Sequence, residues 1–219
     1  MNVRRTVIGL LLAIAMVALA AVLMPAGPPT LRQFEPDRMA DLETRMWQAY
    51  YAKENFRLFA LLVTMLREQY HYSWATAVKE GYYLAHAAAT FGNARDHYER
   101  VLPDLEAGFA TAKAWLHADF DPAAVARAEL AWWVARRVPG EDMPEHVGAL
   151  MAESYALLYE APRSDMMAPA VLRARAGKLR DQTASAPDWD TIGRLLRDSY
   201  RDLYGALNDD HRTDKGGSL

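Results

Sequence analysis

The sequence predicts an all-α protein in which one N-terminal membrane helix precedes a compact bundle of about seven helices. Two arginines lead into an apolar run from Val7 to Met24, and beyond it apolar residues recur at spacings of three and four. No stretch alternates with the period of two that strands need. The predicted divisions are a signal-anchor helix over 1–27, a Pro-rich linker over 28–38, the helical bundle over 39–207 and a disordered polar tail over 208–219.

The N-terminal run is long enough for a retained anchor, because spanning a bilayer takes about 20 residues with a lower limit near 17. A secretory signal usually has only about 7 to 15 apolar residues. Ala18 and Ala20 form a small-x-small sequence that a signal peptidase could cut, so cleavage after Ala20 stays open. Arg4 and Arg5 before the run place the N-terminus in the cytoplasm and the body outside it.

The predicted location is therefore a single-pass position in the cytoplasmic (inner) membrane of a bacterium, with an extracytoplasmic or periplasmic body. The bacterial source is inferred from many Arg and Ala residues beside few lysines, which is typical of GC-rich coding. Without Arg4 and Arg5 the body carries a formal charge of −5, which makes nucleic acid a poor partner. The lack of cysteine excludes disulfides, thiolate metal sites and covalent haem.

The first helix of the bundle is predicted as one long helix from Met39 to about Tyr70, whose second half is apolar nearly all round. Ser73 has the position of an N-cap for the next helix, which is expected to end at Gly92 in a left-handed conformation. The stripe of small residues on this helix favours close packing of a neighbour.

The following helices are predicted from proline positions and caps. The stripe from Tyr98 to Leu116 crosses Pro103, which indicates one kinked helix or two with Pro103 opening the second. Asp121 and Pro122 begin a helix that closes before Pro139.

The last three helices follow from two capping-box patterns and one proline. Asp142 with Glu145, and Ser185 with Asp188, have the capping-box spacing ahead of apolar runs. Between these two helices, a weaker one is expected from Pro169 to about Gln182.

Three carboxylates fall on one stripe of the predicted long helix. Glu43, Glu54 and Glu68 lie within roughly 20° of the direction of Leu61 at about 100° per residue. A buried carboxylate must be paired, hydrogen-bonded or protonated, so the favoured interpretation is structural ion pairing. The residues assigned to such pairs are Glu43, Glu54, Arg57, Glu68, Glu129 and Arg136.

A metal site is the alternative for these acids, because Glu68 and His71 have the Glu-x-x-His spacing of carboxylate-bridged metal pairs in bundles. Its ligands would be Glu54, Glu68 and His71. On one helix, however, Glu54 and Glu68 would stand about 21 Å apart, and no second such motif exists. No cofactor is therefore predicted.

Aromatic clusters suggest a ligand pocket beside the alternative of core packing. The candidate ligand contacts are Trp47, Tyr50, Glu54, Glu129 and Trp132. One of Trp132 and Trp133 is expected near Glu129 and Arg136, and the other against a second helix or the surface.

No catalytic residue is predicted, because the chain has no nucleophile elbow, phosphate-binding loop, dinucleotide fingerprint or metalloprotease motif. The sequence favours a non-enzyme: a membrane-anchored interaction module that serves as an accessory or scaffold subunit of an envelope complex. It would bind the membrane through residues 7–24 and an unidentified protein through its bundle. The alternative is a tethered small-ligand-binding protein, and a metal-dependent enzyme is the third hypothesis.

Overall fold

The computed structural model describes the backbone of residues 3–209 and the side chains of residues 8 and 11–209. Within this range the chain is helical, with no strand. The α-helices are α1 Val3–Leu23, α2 Pro36–Tyr51, α3 Asn55–Gln69, α4 Trp74–Asn93, α5 Leu102–Leu116, α6 Pro122–Ala135, α7 Pro144–Tyr159, α8 Arg163–Gln182 and α9 Trp189–Asn208, with a 3-10 turn at Tyr98–Val101. The tail predicted to be disordered lies outside the described residues from position 210 onward.

The eight helices after α1 form a closed ring. Each of them packs against the next along the chain, and α2 closes the ring by packing against α9. Apart from a small contact between α2 and α4, no helices that are separated in the ring pack closely within the described range. The centre is therefore filled by side chains that converge from all eight helices, and this arrangement positions the site described below.

The predicted long helix from Met39 to Tyr70 is wrong, because the chain breaks between Tyr51 and Asn55. Lys53 has a left-handed backbone with φ of 58°, which an α-helix does not accommodate. The resulting α2 and α3 pack side by side. This break explains why the bundle has eight helices and not about seven.

Several predicted helix starts are confirmed by their caps. The Ser73 hydroxyl accepts a hydrogen bond from the Thr76 amide at 3.1 Å, and the Asp121 carboxylate accepts one from Ala123 at 3.0 Å. Pro103 lies in the first turn of α5, so the two-helix alternative holds there. The left-handed end expected at Gly92 is wrong, because α4 continues to Asn93 and Gly92 has no positive φ.

The starts of the last three helices differ from the predictions in detail. Asp142 does not cap α7, because its carboxylate forms an ion pair with Lys178 of α8. Helix α8 begins at Arg163, so Pro169 lies buried inside it. Helix α9 is capped by Asp188, which accepts from the Thr191 amide at 3.0 Å, whereas Ser185 makes no cap.

Helix α1 makes a small contact with α4 of the ring. Its described large apolar side chains, at Ile8 and from Leu11 to Leu23, are exposed. In the part of the chain that the structure describes, no helix is both long and apolar enough to cross a membrane, so the transmembrane helix stays a prediction.

The segment between α1 and α2 is attached to the ring. His71 Nδ1 lies 2.8 Å from the Pro28 carbonyl oxygen, and the Ala26 amide donates to the His71 carbonyl at 3.1 Å. Phe34 is buried against Tyr200 and Tyr204 of α9. Residues predicted to act as a linker therefore belong to the packed body.

Candidate functional site: a central aromatic and carboxylate cavity

The centre of the ring contains a cavity of about 450 Å³, to which all eight ring helices contribute lining side chains. This volume lies within the range of about 300 to 1,000 Å³ that is usual for small-molecule sites. Its wall is dominated by rings, namely those of Trp47, Tyr50, Tyr51, Tyr70, Tyr72, Phe91, Phe109, Trp132, Trp133, Tyr155, Tyr159 and Tyr200. Leucine, methionine and alanine side chains fill most of the remaining surface.

A buried ion pair forms one polar part of the wall. Glu43 of α2 is 3% exposed, and its Oε1 accepts hydrogen bonds from Arg173 Nε at 2.8 Å and from Arg173 Nη2. The Trp47 indole donates to the same oxygen at 3.1 Å. Glu43 Oε2 has no hydrogen-bond partner within the described structure. The pair therefore joins α2 to α8 and leaves one buried acceptor unused.

Glu129 of α6 is held by neutral donors only. Its two oxygens accept from the indoles of Trp132 and Trp133, both at 3.0 Å, and from the Ser154 hydroxyl at 2.9 Å. Adjacent tryptophans on a helix thus both turn toward one carboxylate, which differs from the expectation that one would point away. The Glu129 carboxylate therefore holds both indole rings at the cavity wall through these hydrogen bonds.

A group of tyrosines lies between these acids. Burial raises the pKa of Tyr70, Tyr155, Tyr159 and Tyr200 well above the usual value for a phenol. Their hydroxyls therefore stay protonated at neutral pH and offer hydrogen-bond donors beside the apolar surface.

Two arginines at the C-terminal end of α6, Arg136 and Arg137, also line the cavity. Arg136 donates to Asp181 at 2.8 Å and to the Tyr51 hydroxyl at 3.0 Å. The Arg137 guanidinium lies 3.7 Å from the centre of the Phe91 ring, which is a cation–π geometry. Both arginines are thus held in place by aromatic and acidic neighbours.

Glu80 and Tyr72 form a second polar part of the wall. Glu80 is 5% exposed and Tyr72 is fully buried, and both line the cavity. Glu80 Oε2 and the Tyr72 hydroxyl have no hydrogen-bond partner among the described residues. Burial raises the pKa of Glu80 to about 8, and the nearby Tyr72 hydroxyl lowers it by a smaller amount.

Four of the five predicted ligand contacts line the cavity: Trp47, Tyr50, Glu129 and Trp132. Their contact with a ligand stays a prediction. The fifth, Glu54, is exposed at the start of α3 and pairs with Arg57 at 2.8 Å, because the break after α2 turns it away from the centre.

Some of the residues assigned to structural ion pairs form such pairs across helices, whereas Glu129 and Arg136 do not pair as a couple. Glu43 pairs with Arg173, and Glu68 pairs with Arg38 of α2 at 2.8 Å. Glu129 and Arg136 do not pair with each other, because the acid is enclosed by indoles and the arginine reaches Asp181.

The structure does not bring the predicted metal ligands together. Glu54 and Glu68 lie at opposite ends of α3, and His71 is directed to the Pro28 carbonyl. Among the described side chains, no three histidine, aspartate or glutamate residues are grouped as a metal site.

Sequence reasoning missed Glu80, Arg173 and the tyrosines of α7 and α9, whereas Tyr72 belongs to an aromatic cluster, Tyr70 to Trp74, that it did offer as pocket lining. A signal existed for Glu80, which follows Ala77 by three residues and precedes Leu84 by four, as a residue on the inner face of α4 would. Nothing comparable existed for the pairing of Glu43 with Arg173, because 130 residues separate them.

Comparison of the chain with known protein families, curated proteins and solved structures finds no match.

Proposed function

We propose that this protein binds a small, largely apolar organic molecule in the central cavity. The observation that carries the proposal is the cavity itself, which combines a ring-lined wall with buried polar atoms that have no partner among the described residues. An apolar wall with a few oriented polar groups is the usual composition of a ligand site.

The energetics of the polar atoms support a ligand over simple core packing. A buried donor or acceptor without a partner costs about 1 to 3 kcal/mol, and such groups are few in native structures. Within the described structure, Glu43, Tyr72, Glu80 and Arg136 each have one such atom, and all four residues line the same cavity. A ligand whose entry shifted the side chains that cover these atoms would supply the missing hydrogen bonds.

The test is to fill the cavity from one side. Ala88 of α4 lines it, so Ala88→Phe would place a ring where the ligand binds. We expect the purified wild-type chain to retain a small molecule in native mass spectrometry, or to gain melting temperature in a screen of apolar and ring-bearing compounds, and Ala88→Phe to lose both. Ala75→Phe, on the exposed face of α4, is the matched control. Equal retention by wild type and Ala88→Phe would contradict the central site.

We further propose that α1 tethers the protein to a bacterial cytoplasmic membrane, with the ring on the outer side. The support is the run from Val7 to Met24 after Arg4 and Arg5, together with the exposed apolar side chains of α1. The test is to extract membranes of cells expressing the chain with alkaline carbonate and to sequence its N-terminal peptide. A tether predicts an intact chain in the membrane pellet, and a chain beginning at Ala21 in the supernatant would contradict it.

A second candidate function is a subunit that binds another envelope protein, and one observation favours it. Trp74, Val78 and Tyr82 follow one another at four-residue spacing along α4 and are 49%, 45% and 56% exposed. Exposed apolar stripes of this kind are common at protein interfaces. Extraction in mild detergent followed by identification of co-purifying proteins tests this candidate. Recovery of the chain alone under several conditions would count against it.

A further inference from the structure

The polar group that best indicates the chemistry of the ligand is Glu80. Its carboxylate lies at the cavity wall beside the Tyr72 hydroxyl, and no arginine, lysine or histidine pairs with it in the described part of the chain. Tyr72 itself is fully buried, and the centre of its ring lies 5.9 Å from the centre of the Trp115 ring. This end of the cavity therefore offers a buried acceptor that is surrounded by rings.

The other acids of the cavity already have partners. Glu43 is bound by Arg173, and Asp181 by Arg136. Glu129 has three hydrogen bonds, although all come from neutral groups. Glu43 also keeps an unpartnered oxygen, Oε2, but the Arg173 guanidinium already balances that carboxylate. Among the described acids of the cavity, Glu80 is thus the one that combines an unpartnered oxygen with no cation beside it.

The surroundings favour a cationic donor over a neutral one. Aromatic faces attract cations through their quadrupoles, most strongly where water is excluded. Tyr70 and Tyr72 lie near Glu80, and the indoles of Trp132 and Trp133 bind Glu129. A buried carboxylate also gains more from a charged donor than from a neutral one.

We propose that the ligand is an organic ammonium: an amine whose protonated nitrogen donates a hydrogen bond to Glu80 and whose apolar body occupies the remaining cavity. This inference rests on the proposed small-ligand function. Glu80 and Tyr72 then form the subsite that binds the ammonium group, and the Glu43–Arg173 pair is a fixed part of the cavity wall.

Binding of such a cation is coupled to the release of a proton from Glu80. With the cavity empty, burial holds the pKa of Glu80 at about 8, so the group is mostly neutral at pH 7. An ammonium beside it favours the carboxylate, and the proton of Glu80 leaves on binding. The affinity for amines consequently rises with pH, by about tenfold per unit below the pKa of Glu80.

The neighbouring tyrosines do not titrate in the same range. The loop between α3 and α4 contributes Tyr70 and Tyr72, and α7 contributes Tyr159; burial raises the pKa of all three further above neutrality. The charged groups on α3 and α5, which pack against α4, are paired elsewhere or exposed. Arg57 pairs with Glu54, Glu68 pairs with Arg38, Lys113 donates to the Phe120 carbonyl, and Glu106 is exposed. Arg67 donates to the Tyr72 carbonyl, and Asp104 lies 2.7 Å from the exposed His86.

The test uses the full chain in detergent and calorimetric titration with a panel of aliphatic and arylalkyl primary amines. Each amine is matched with the alcohol and the carboxylate of the same carbon skeleton, and titrations run between pH 6 and pH 9. Glu80→Gln keeps the shape of the side chain and removes its charge. Glu106→Gln, at an exposed position of α5, is the control.

We expect amines to bind at least about tenfold more tightly than their alcohols to wild type and to Glu106→Gln. In Glu80→Gln this preference for amines over alcohols disappears. The release of a proton at pH 7 also disappears. Titration in buffers of different ionisation enthalpy measures that proton release. Alcohols or carboxylates that bind as tightly as amines, and are excluded by Ala88→Phe, would overturn the ammonium inference and leave the small-ligand site intact. No binding by any panel member at about 1 mM, the weak end of specific binding, would overturn both.

Discussion

At the residue scale, two glutamates on the inner wall of the ring differ in whether a cation pairs with them. This difference decides whether a buried carboxylate has a structural role or is available for a ligand. Glu43 and Glu80 are both almost fully buried, but of the two only Glu43 pairs with a cation within the described residues. The first therefore joins helices, and the second is left to bind a proton or a ligand.

The protonation of Glu80 makes the stability of the ligand-free protein depend on pH. The raised pKa, about 8 against an ordinary 4.5, means that the folded chain holds a proton that the unfolded chain releases between these values. Stability from this group is complete below about pH 4.5 and is lost as the pH rises through 8. We expect the free energy of unfolding of wild type relative to Glu80→Gln to fall by about 3 kcal/mol between pH 5 and pH 8.

Denaturant unfolding at both pH values measures this difference. The exposed Glu106→Gln variant should follow wild type throughout. A wild-type curve parallel to that of Glu80→Gln would show that Glu80 is ionised in the folded protein over the whole range.

The Glu43–Arg173 pair should be far more sensitive to truncation than the exposed Glu54–Arg57 pair. Arg173→Met removes the cation and leaves Glu43 buried without charge compensation, which costs about 3 to 5 kcal/mol. Arg57→Met removes a pair whose side chains are nearly half exposed, and its cost should stay below about 1 kcal/mol. Chemical denaturation of the two variants compares the costs, and similar values would contradict the burial of the first pair.

At the element scale, the break between α2 and α3 determines which residues reach the cavity. A continuous helix would carry Glu54 on the same stripe as Glu43, whereas the left-handed Lys53 reverses the chain and places Glu54 at the exposed start of α3. Residues 43 to 51 of α2 and 58 to 66 of α3 then approach the cavity from neighbouring positions in the ring.

The strain at this break predicts a stabilising substitution. A left-handed conformation costs a non-glycine residue about 1 kcal/mol or more, so Lys53→Gly should raise the free energy of unfolding by roughly 0.5 to 1 kcal/mol. Lys79→Gly, in the interior of α4, should lower it by about 1 kcal/mol because glycine destabilises helices. If Lys53→Gly is as destabilising as Lys79→Gly, α2 continues through this position.

Close helix packing gives a further prediction at this scale. A Cβ on Gly148 of α7 would lie 2.8 Å from the Cα of Val171 on α8, so Gly148→Ala must separate two backbones. We expect it to cost about 1 to 3 kcal/mol. Gly193→Ala in α9 is the control, because its nearest neighbour would be an ordinary contact with Thr44 at 3.5 Å, and it should be neutral or stabilising. Thermal unfolding distinguishes the two outcomes.

At the scale of the whole molecule, the closed ring explains why the centre is lined by so many large rings. Eight helices spaced about 9 Å apart around a circle have axes about 12 Å from its centre, whereas a helix with its side chains has a radius of only about 5 Å. Leucine and alanine alone cannot fill such a centre. Tryptophan and tyrosine narrow it to the observed cavity of about 450 Å³.

The sequence by itself determined the helical class, most helix starts and the set of aromatic and acidic residues, because these follow from local periodicity and from caps within a few residues. It placed Trp47, Tyr50, Glu129 and Trp132 among the ligand candidates before their neighbours were known. Local patterns cannot reveal which distant side chains meet: Arg173 is 130 residues from Glu43, and a short break around Lys53 redirects Glu54. Only the closing of the ring decided that the inner faces of all eight helices line one cavity, because closure joins α2 to α9 and brings distant parts of the chain together.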